Sequence, residues 1–157
     1  MERDEFVVRT EAVKSRLYRT AYLYLGNEAD ALEAVDEAVY QALRALKKLR
    51  SPEFFESWLT RILINECHKE LRRRNRFVSN TVECERVAPD DYDHLPLKEA
   101  ILRLPDDLRV VVILRYFSGY TQAETAKVLE IPQGTVATRQ RRALQLLRLE
   151  LREEELS

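Results

Sequence analysis

The side chains best suited to contact DNA lie near the end of the chain. Thr121 and Glu124 have the spacing of a capping box, so a helix is predicted to begin there. Ile131-Pro132 predicts a turn, and a second helix is expected from about Gln133. One face of this second helix is apolar, carrying Val136, Ala143, Leu144, Leu147 and Leu151. The opposite face carries groups that can bind bases or phosphates, namely Thr135, Thr138, Arg139, Arg142, Gln145 and Arg148.

This pattern is typical of a helix-turn-helix: two helices are joined by a short turn, and the second helix is apolar on one face and polar or basic on the other. Such a unit lays its second helix in the major groove, where the first residues reach base edges and cations reach phosphates. A plain helical hairpin with a solvated basic face would have the same pattern. On the first interpretation, the residues expected to contact duplex DNA are Gln133, Thr135, Thr138, Arg139 and Arg142.

A second candidate site is a polar row on the helix predicted from about residue 53 to residue 76. Its members recur at intervals of four, three, four and four, and so share a face: Arg61, Asn65, His68, Arg72 and Arg76. Arg73 adjoins the row, and Phe54, Phe55 and Trp58 precede it. Cations beside planar groups suit single-stranded DNA. The alternative is an ordinary core helix with a solvated basic end, and Trp58 is expected in the core on either interpretation.

A third candidate site is acidic. Asp30, Glu33, Asp36 and Glu37 lie in a segment without Lys or Arg, and Glu33 and Glu37 are four residues apart on one helix face. These carboxylates would repel one another unless a basic partner covers them. Basic segments at 61–76 and 139–152 and an acidic one at 83–93 make the formal net charge only -1, despite strong local polarity.

Several classes of protein are excluded or disfavoured. The charged start, Met1 to Glu5, is unlike a signal peptide, and the longest apolar run, Val110–Leu114, is too short to span a bilayer, so a cytoplasmic protein is expected. We find no Gly-rich phosphate loop, no nucleophile–base pair and no metal-ligand spacing; Cys67 and Cys84 form no CxxC pair. The sequence therefore predicts no catalysis, cofactor, metal or small-molecule substrate.

Composition predicts an all-α fold, because Gly (3) and Pro (5) are scarce and good helix formers dominate. The first helix is expected from Asp4 to Leu25, with Phe6, Val13, Leu17, Ala21 and Leu25 inward. The second is expected from Glu28 to about Leu49, packing through Leu32, Val35, Val39, Ala42, Leu46 and Leu49. Ser51 is expected to cap the third.

After the third helix, Phe77 to Asp93 lacks periodicity and is interpreted as a linker. Shorter helices are then predicted over 95–104, 106–117 and 121–129, before a long one from about 133 to 153. This order predicts two small helical domains, residues 1–77 and 94–157, joined by a flexible acidic linker over residues 78–93.

The C-terminal motifs resemble region 4 of sigma factors of the extracytoplasmic-function group. The matching residues are Leu104-Pro105, Leu114-Arg115-Tyr116, Gly119, Ile131-Pro132-Gln133-Gly134-Thr135-Val136, Arg139 and Arg142-Ala143. Three positions depart from that pattern: Glu130 replaces the usual Gly, Ala137 a common basic residue, and Gln140 a packing apolar residue.

The first half resembles sigma region 2. The resemblance rests on Phe55-Glu56-Ser57-Trp58-Leu59, Arg61-Ile62, Asn65 and Leu71-Arg72-Arg73-Arg74, and upstream on Asp30-Ala31, Glu33, Val35 and Glu37. Leu32 stands where an acid is usual, and Asp36 where Gln is usual.

The resemblance implies an RNA polymerase subunit that selects promoters. Region 2 would dock Asp30, Glu33, Asp36 and Glu37 on a coiled coil of core polymerase. It would capture unpaired minus-ten DNA through Arg61, Asn65, His68, Arg72, Arg73 and Arg76. Region 4 would bind minus-thirty-five duplex through its helix-turn-helix and contact the polymerase flap. An anti-sigma factor, commonly membrane-anchored, would hold the protein inactive. A stand-alone dimeric regulator, or more remotely a DNA-processing enzyme, is the alternative.

Overall fold

A computed structural model describes residues 1–78 and 95–156. Every regular element in these two ranges is helical, which confirms the all-α prediction. The chain divides into two compact units, Met1–Arg86 and Val87–Ser157. Apart from Val78, the predicted linker lies outside the described residues.

Three helices form the N-terminal unit: α1 (Arg3–Leu25), α2 (Glu28–Arg44) and α3 (Phe55–Val78). α1 ends at Gly26, whose φ of 86° is left-handed and whose N–H donates to the Tyr22 carbonyl at 2.8 Å. Asn27 then caps α2 by accepting the Asp30 N–H at 2.8 Å. Short 3-10 turns, Leu46–Lys48 and Pro52–Phe54, connect α2 to α3.

The buried face of α1 is the predicted one, whereas the expected packing stripe of α2 is confirmed only at Val35 and Ala42. α2 buries Ala31, Ala34, Val35, Ala38 and Ala42, whereas Leu32 is 48% exposed. Both sets have helical spacing, and the small alanines allow α2 to pack closely against α1 and α3. α2 also ends at Arg44 rather than at Leu49, and the 3-10 turn Leu46–Lys48 follows it.

The start of α3 also differs from expectation. Ser51 makes no side-chain cap; only its carbonyl is used, accepting from the Phe54 N–H at 3.1 Å. α3 buries Phe55, Leu59, Leu63, Ile64, Cys67 and Leu71. Trp58, expected in the core, is only half-buried, with its ring 6.2 Å from that of Phe55.

The C-terminal unit contains α4 (Leu95–Arg103), α5 (Asp106–Val112), α6 (Gln122–Leu129) and α7 (Gln133–Leu156), with a π-helical turn at Ile113–Phe117 after α5. α5 and this turn carry a continuous buried run from Leu108 to Leu114. The predicted capping box is confirmed: the Glu124 N–H donates to Thr121 Oγ1 at 3.1 Å, and the Thr121 N–H donates to Glu124 Oε1 at 3.0 Å.

The face of α7 that packs inward includes Val136, Ala143 and Leu147. Leu144, expected to pack with them, is 36% exposed, and the side chain of Leu151 lies outside the described residues. Leu144 directly follows Ala143, so it points about 100° away from the buried stripe. Across both described ranges, no helix is long and apolar enough to cross a membrane.

Candidate nucleic-acid interfaces

The acidic face of α2 presents three exposed carboxylates, those of Glu33, Asp36 and Glu37. Asp30 is different, because it is half-buried, accepts from Asn27 Nδ2 at 2.8 Å and forms an ion pair with Arg74 of α3. Burial acts to raise the pKa of Asp30, but the hydrogen bonds from Asn27 and Arg74 and the nearby positive charge outweigh it and lower the pKa. Asp30 is therefore an internal ion-pair partner within this unit.

The segment that carries these acids has no Lys or Arg of its own, but α3 places cations beside it. Residues of α2 and α3 line a surface groove of about 530 Å³, and α3 contributes both signs of charge to it. Its lining residues are Asp30, Glu33, Ala34, Asp36 and Glu37 from α2, with Glu66, Lys69, Glu70 and Arg73 from α3. Leu32 and Tyr40, 48% and 54% exposed, add apolar surface to α2 that the charge pattern did not indicate.

Most of the polar row of α3 faces solvent. Asn65, Arg72 and Arg76 are exposed and Arg61 is half-buried. Arg72 Nε donates to the His68 carbonyl at 3.4 Å, one turn earlier. The row therefore offers an amide and several guanidinium groups along one side of a single helix, and positive charge of this kind can follow the backbone of single-stranded DNA.

Two predicted members of the minus-ten site also make contacts within the N-terminal unit. The His68 ring stacks on Tyr24 of α1, with centroids 5.4 Å apart, and Tyr24 is 0% exposed. Arg73 lines the groove beside α2 and donates two hydrogen bonds to Glu70, at 2.6 and 3.0 Å. Both contacts lie within the N-terminal unit, and the Arg73 side chain remains 54% exposed.

The sequence reasoning missed the role of Arg74. Its Nη1 donates to the Leu25 carbonyl at the end of α1, at 2.6 Å, and its Nη2 pairs with Asp30 of α2. One side chain thus joins all three helices of the unit. No periodic signal could identify this, because the partners are 49 and 44 residues away.

The start of α7 presents the predicted duplex-contacting groups. Gln133, Thr138 and Arg142 are exposed, and Thr135 and Arg139 are half-buried. Thr138 Oγ1 donates to the Gly134 carbonyl at 3.0 Å, and Arg139 Nε lies 3.7 Å from Asp107 Oδ2 of α5. A Cβ added at Gly134 would meet nothing within 4 Å, so the surface at the start of α7 is open.

Metal-dependent or thiol chemistry finds no support in the part of the chain that the structure describes. That part contains no group of three or more His, Cys, Asp or Glu able to hold a metal ion. Cys67 is buried in α3, and burial raises the pKa of its thiol to about 12, which disfavours the reactive thiolate. Cys84 lies outside the described residues.

Comparison with known proteins assigns both units. Residues 10–77 match the family model of sigma-70 region 2, and residues 94–147 match that of sigma-70 region 4. The sigma factor SigV of Bacillus subtilis is 34% identical, over 92% of this chain and 89% of SigV. SigW of the same organism, an ECF sigma factor, is 28% identical, over 97% of this chain and 91% of SigW.

A solved structure resembles the fold. It is the sigma factor RpoE of Bartonella quintana in complex with the anti-sigma factor NepR, with a TM-score of 0.81, 24% identity and coverage of 94% of this chain and 97% of that one. The chain therefore belongs to the extracytoplasmic-function group of the sigma-70 family, and it is a sigma factor that directs RNA polymerase to promoters. The resemblance stated from the sequence is confirmed.

Proposed function

We propose that the chain acts as a non-catalytic specificity subunit, one copy per core polymerase, in which residues 1–77 read the minus-ten element and residues 94–157 read the minus-thirty-five element. The observation that carries this proposal is the exposure of DNA-binding side chains on one helix of each unit, Asn65 and Arg72 on α3 and Thr138 and Arg142 on α7.

Run-off transcription tests the proposal as a whole. Core polymerase with this protein should produce discrete transcripts from genomic fragments, including the region upstream of its own gene, whereas neither component alone should do so. In gel shifts the free protein should bind promoter DNA weakly, because its net charge is only -1 and non-specific affinity depends on phosphate neutralisation. Tight, core-independent binding with a dimeric footprint would favour the stand-alone regulator.

The proposed docking surface for core polymerase is the exposed acidic face of α2. Reversing Glu33 and Glu37 to Lys should weaken core binding, because two attractive charges become repulsive, while helicity stays unchanged. The matched control is Glu2→Lys with Glu11→Lys, which makes the same charge change at two exposed positions near the start of the chain. Equal core affinity in the two double variants would reject this face as the docking site.

The proposed single-strand contact centres on Asn65. Its exposed amide can both donate to and accept from a base edge, so Asn65→Ala should reduce promoter opening or change base preference within the minus-ten element. Arg72→Ala should instead weaken binding to all sequences and reduce its salt dependence, as loss of a phosphate contact does. Lys69→Ala removes the same charge from the α2 side of the helix and serves as the control. Unchanged opening and preference in Asn65→Ala would contradict the assignment.

The proposed duplex contact centres on Arg139. A bidentate arginine–guanine contact discriminates by about 1–3 kcal/mol, so Arg139→Ala should relax specificity at one or two base pairs. Arg142→Ala should weaken binding uniformly, because this side chain lies further along α7 and is assigned to phosphate. If Arg139→Ala lost affinity equally for all sequences, Arg139 would be reassigned to the backbone.

We also propose an anti-sigma partner that holds the protein inactive in the cytoplasm, near the membrane. Support comes from the solved structures: RpoE is bound to the anti-sigma factor NepR, and CnrH to the cytosolic domain of CnrY. Fractionation of uninduced cells should find the protein with the membrane, and lysis in detergent should release it in a complex that excludes core polymerase. A purely soluble, polymerase-bound population in uninduced cells would contradict this proposal.

A further inference from the structure

A polar side chain occupies the packing stripe of α7. Val136, Ala143 and Leu147 are buried, and Gln140 completes their spacing of four, three and four residues. Gln140 therefore faces the rest of the unit at a position where an apolar residue would suffice for burial. A polar group there is tolerated only if it is well hydrogen-bonded.

The Gln140 amide is held by three hydrogen bonds from outside α7. Its Oε1 accepts from Arg115 Nε at 3.0 Å and from Gln122 Nε2 at 3.2 Å, and its Nε2 donates to the Tyr116 hydroxyl at 2.9 Å. Arginine can only donate, so the atom facing Arg115 must be the amide oxygen, which fixes the orientation of the amide.

These partners belong to two different elements. Arg115 and Tyr116 lie in the π-helical turn after α5, and Gln122 is the first residue of α6. Arg115 also donates to the Tyr120 carbonyl, directly before the capping residue Thr121, and its guanidinium lies 5.6 Å from the centre of the Tyr116 ring. The network thus links α7 to both the start of α6 and the segment before it.

Directional bonds fix the rotation of a helix about its axis more narrowly than apolar contact does. An apolar side chain at residue 140 would pack in several orientations, whereas three hydrogen bonds of fixed geometry select one. Thr138 and Arg142 lie two residues before and after Gln140, about 200° around the helix, and so face outward when Gln140 faces in. Base readout requires such fixed placement of side chains.

We propose that Gln140 is a positioning residue for promoter readout: its amide orients the recognition helix so that duplex-contacting side chains are presented in one register. This inference rests on the proposed role of α7. Gln140 itself contacts no base; it acts through Thr138, Arg139 and Arg142.

The test measures discrimination between a promoter found by run-off transcription and the same DNA with a scrambled minus-thirty-five element, using the full chain with core polymerase. Gln140→Leu should lose about tenfold of the discrimination, comparable to one good base contact. Its affinity for scrambled DNA should stay close to wild type, which separates a loss of register from a loss of folding. Gln140→Glu should retain discrimination, because its two oxygens can accept from Arg115, Gln122 and the Tyr116 hydroxyl.

Two further variants keep the test decisive. Arg103→Leu introduces leucine at an exposed position of α4, which carries none of the proposed DNA contacts, and should leave discrimination unchanged. Tyr116→Phe removes only the hydroxyl from a side chain that is 48% exposed, so it should fold and lose part of the discrimination even if Gln140→Leu does not fold. Wild-type discrimination in Gln140→Leu or Tyr116→Phe, or equal loss in Arg103→Leu, would overturn the inference. If Arg139→Ala and Arg142→Ala also had no effect, the assignment of α7 itself would fail instead.

Discussion

Arg74 should be the most important single cation for the stability of the N-terminal unit. Its guanidinium joins the end of α1, through the Leu25 carbonyl at 2.6 Å, to Asp30 near the start of α2. The side chains of Arg74 and Asp30 are 29% and 22% exposed, so water screens the pair only partly. Arg74→Met keeps most of the packing volume and removes both interactions, together with a longer ion pair from Arg74 Nε to Glu70 Oε1 at 3.8 Å.

The expected loss follows from these contacts. Hydrogen bonds to charged groups contribute about 1.5–3 kcal/mol each, exposed ion pairs about 0–1 kcal/mol, and a buried pair broken on one side about 3–5 kcal/mol. A partly exposed pair with one additional carbonyl bond therefore predicts a loss of about 2–4 kcal/mol in the free energy of unfolding. Arg73→Met is the matched control, because Arg73 is 54% exposed and its ion pair with Glu70 lies within one turn of the same helix. It should cost less than about 1 kcal/mol.

The chain provides its own reporter for this measurement. Trp58 is the only tryptophan in the sequence and lies in α3, so its fluorescence during urea denaturation follows the N-terminal unit. A double-mutant cycle of Arg74→Met with Asp30→Asn should give a coupling energy of about 1–2 kcal/mol. Equal, small losses in Arg74→Met and Arg73→Met would refute the reasoning.

The same pair predicts a pH dependence. The pKa of Asp30 is lowered in the folded protein, so its contribution is fully present above the ordinary aspartate value of 3.8 and is lost as the pH falls through the lower folded value. The stability difference between wild type and Asp30→Asn should therefore be constant from neutral pH to about pH 5 and shrink below 3.8. A difference that grew on acidification would show that Asp30 is not stabilised as the carboxylate.

Three further predictions concern single positions. Glu130 has a left-handed φ of 57°, so Glu130→Gly should be more stable in calorimetry than Glu130→Ala by about 0.5–1 kcal/mol. Alanine is the control because it removes the same side-chain contacts but keeps Cβ. Equal stability of the two variants would mean that the turn is unstrained. Thr121→Ala should cost about 1 kcal/mol, because it removes the hydroxyl that caps α6; Thr121→Ser should restore most of it, and a Ser variant as unstable as Ala would reject the cap as the cause. In Cys84→Ser, Cys67 is the remaining thiol, and burial raises its pKa to about 12. It should therefore resist alkylation at pH 8 until urea unfolds the N-terminal unit. Rapid labelling of Cys67 without denaturant would contradict its burial.

Sequence reasoning succeeded where structure depends on neighbours along the chain. The capping box at Thr121, the turn at Ile131-Pro132 and the inward face of α1 are all set by residues within one or two helical turns. The same reasoning predicted the exposure of Asn65 and Arg72, because a four-and-three spacing on a helix defines a face.

Sequence reasoning failed where two sets of residues on one helix have the same spacing, and where the contacting residues are far apart along the chain. On α2, the buried alanine stripe and the predicted stripe share Val35 and Ala42, and a preference for large apolar residues wrongly placed Leu32 in the core. Spacing also could not indicate that Asp30 pairs with Arg74, nor that Gln140 meets Arg115, because these contacts exist only after the helices have packed.

The two contacts that spacing could not indicate, those of Arg74 and Gln140, involve polar residues on the inner side of a helix. The outer side of each helix carries the proposed DNA contacts. Arg74 lies two residues from Arg72 on α3, and Gln140 lies two residues from both Thr138 and Arg142 on α7, so each is about 200° around its helix from those outward-facing side chains. Burial of apolar surface alone holds a helix in place but is not directional. Hydrogen bonds that Arg74 donates to a carbonyl and a carboxylate supply the direction on α3. On α7 it is supplied by the Gln140 amide, which accepts from Arg115 and Gln122 and donates to the Tyr116 hydroxyl. Substitutions on these inner faces should therefore change which bases are read even though no inner residue contacts DNA.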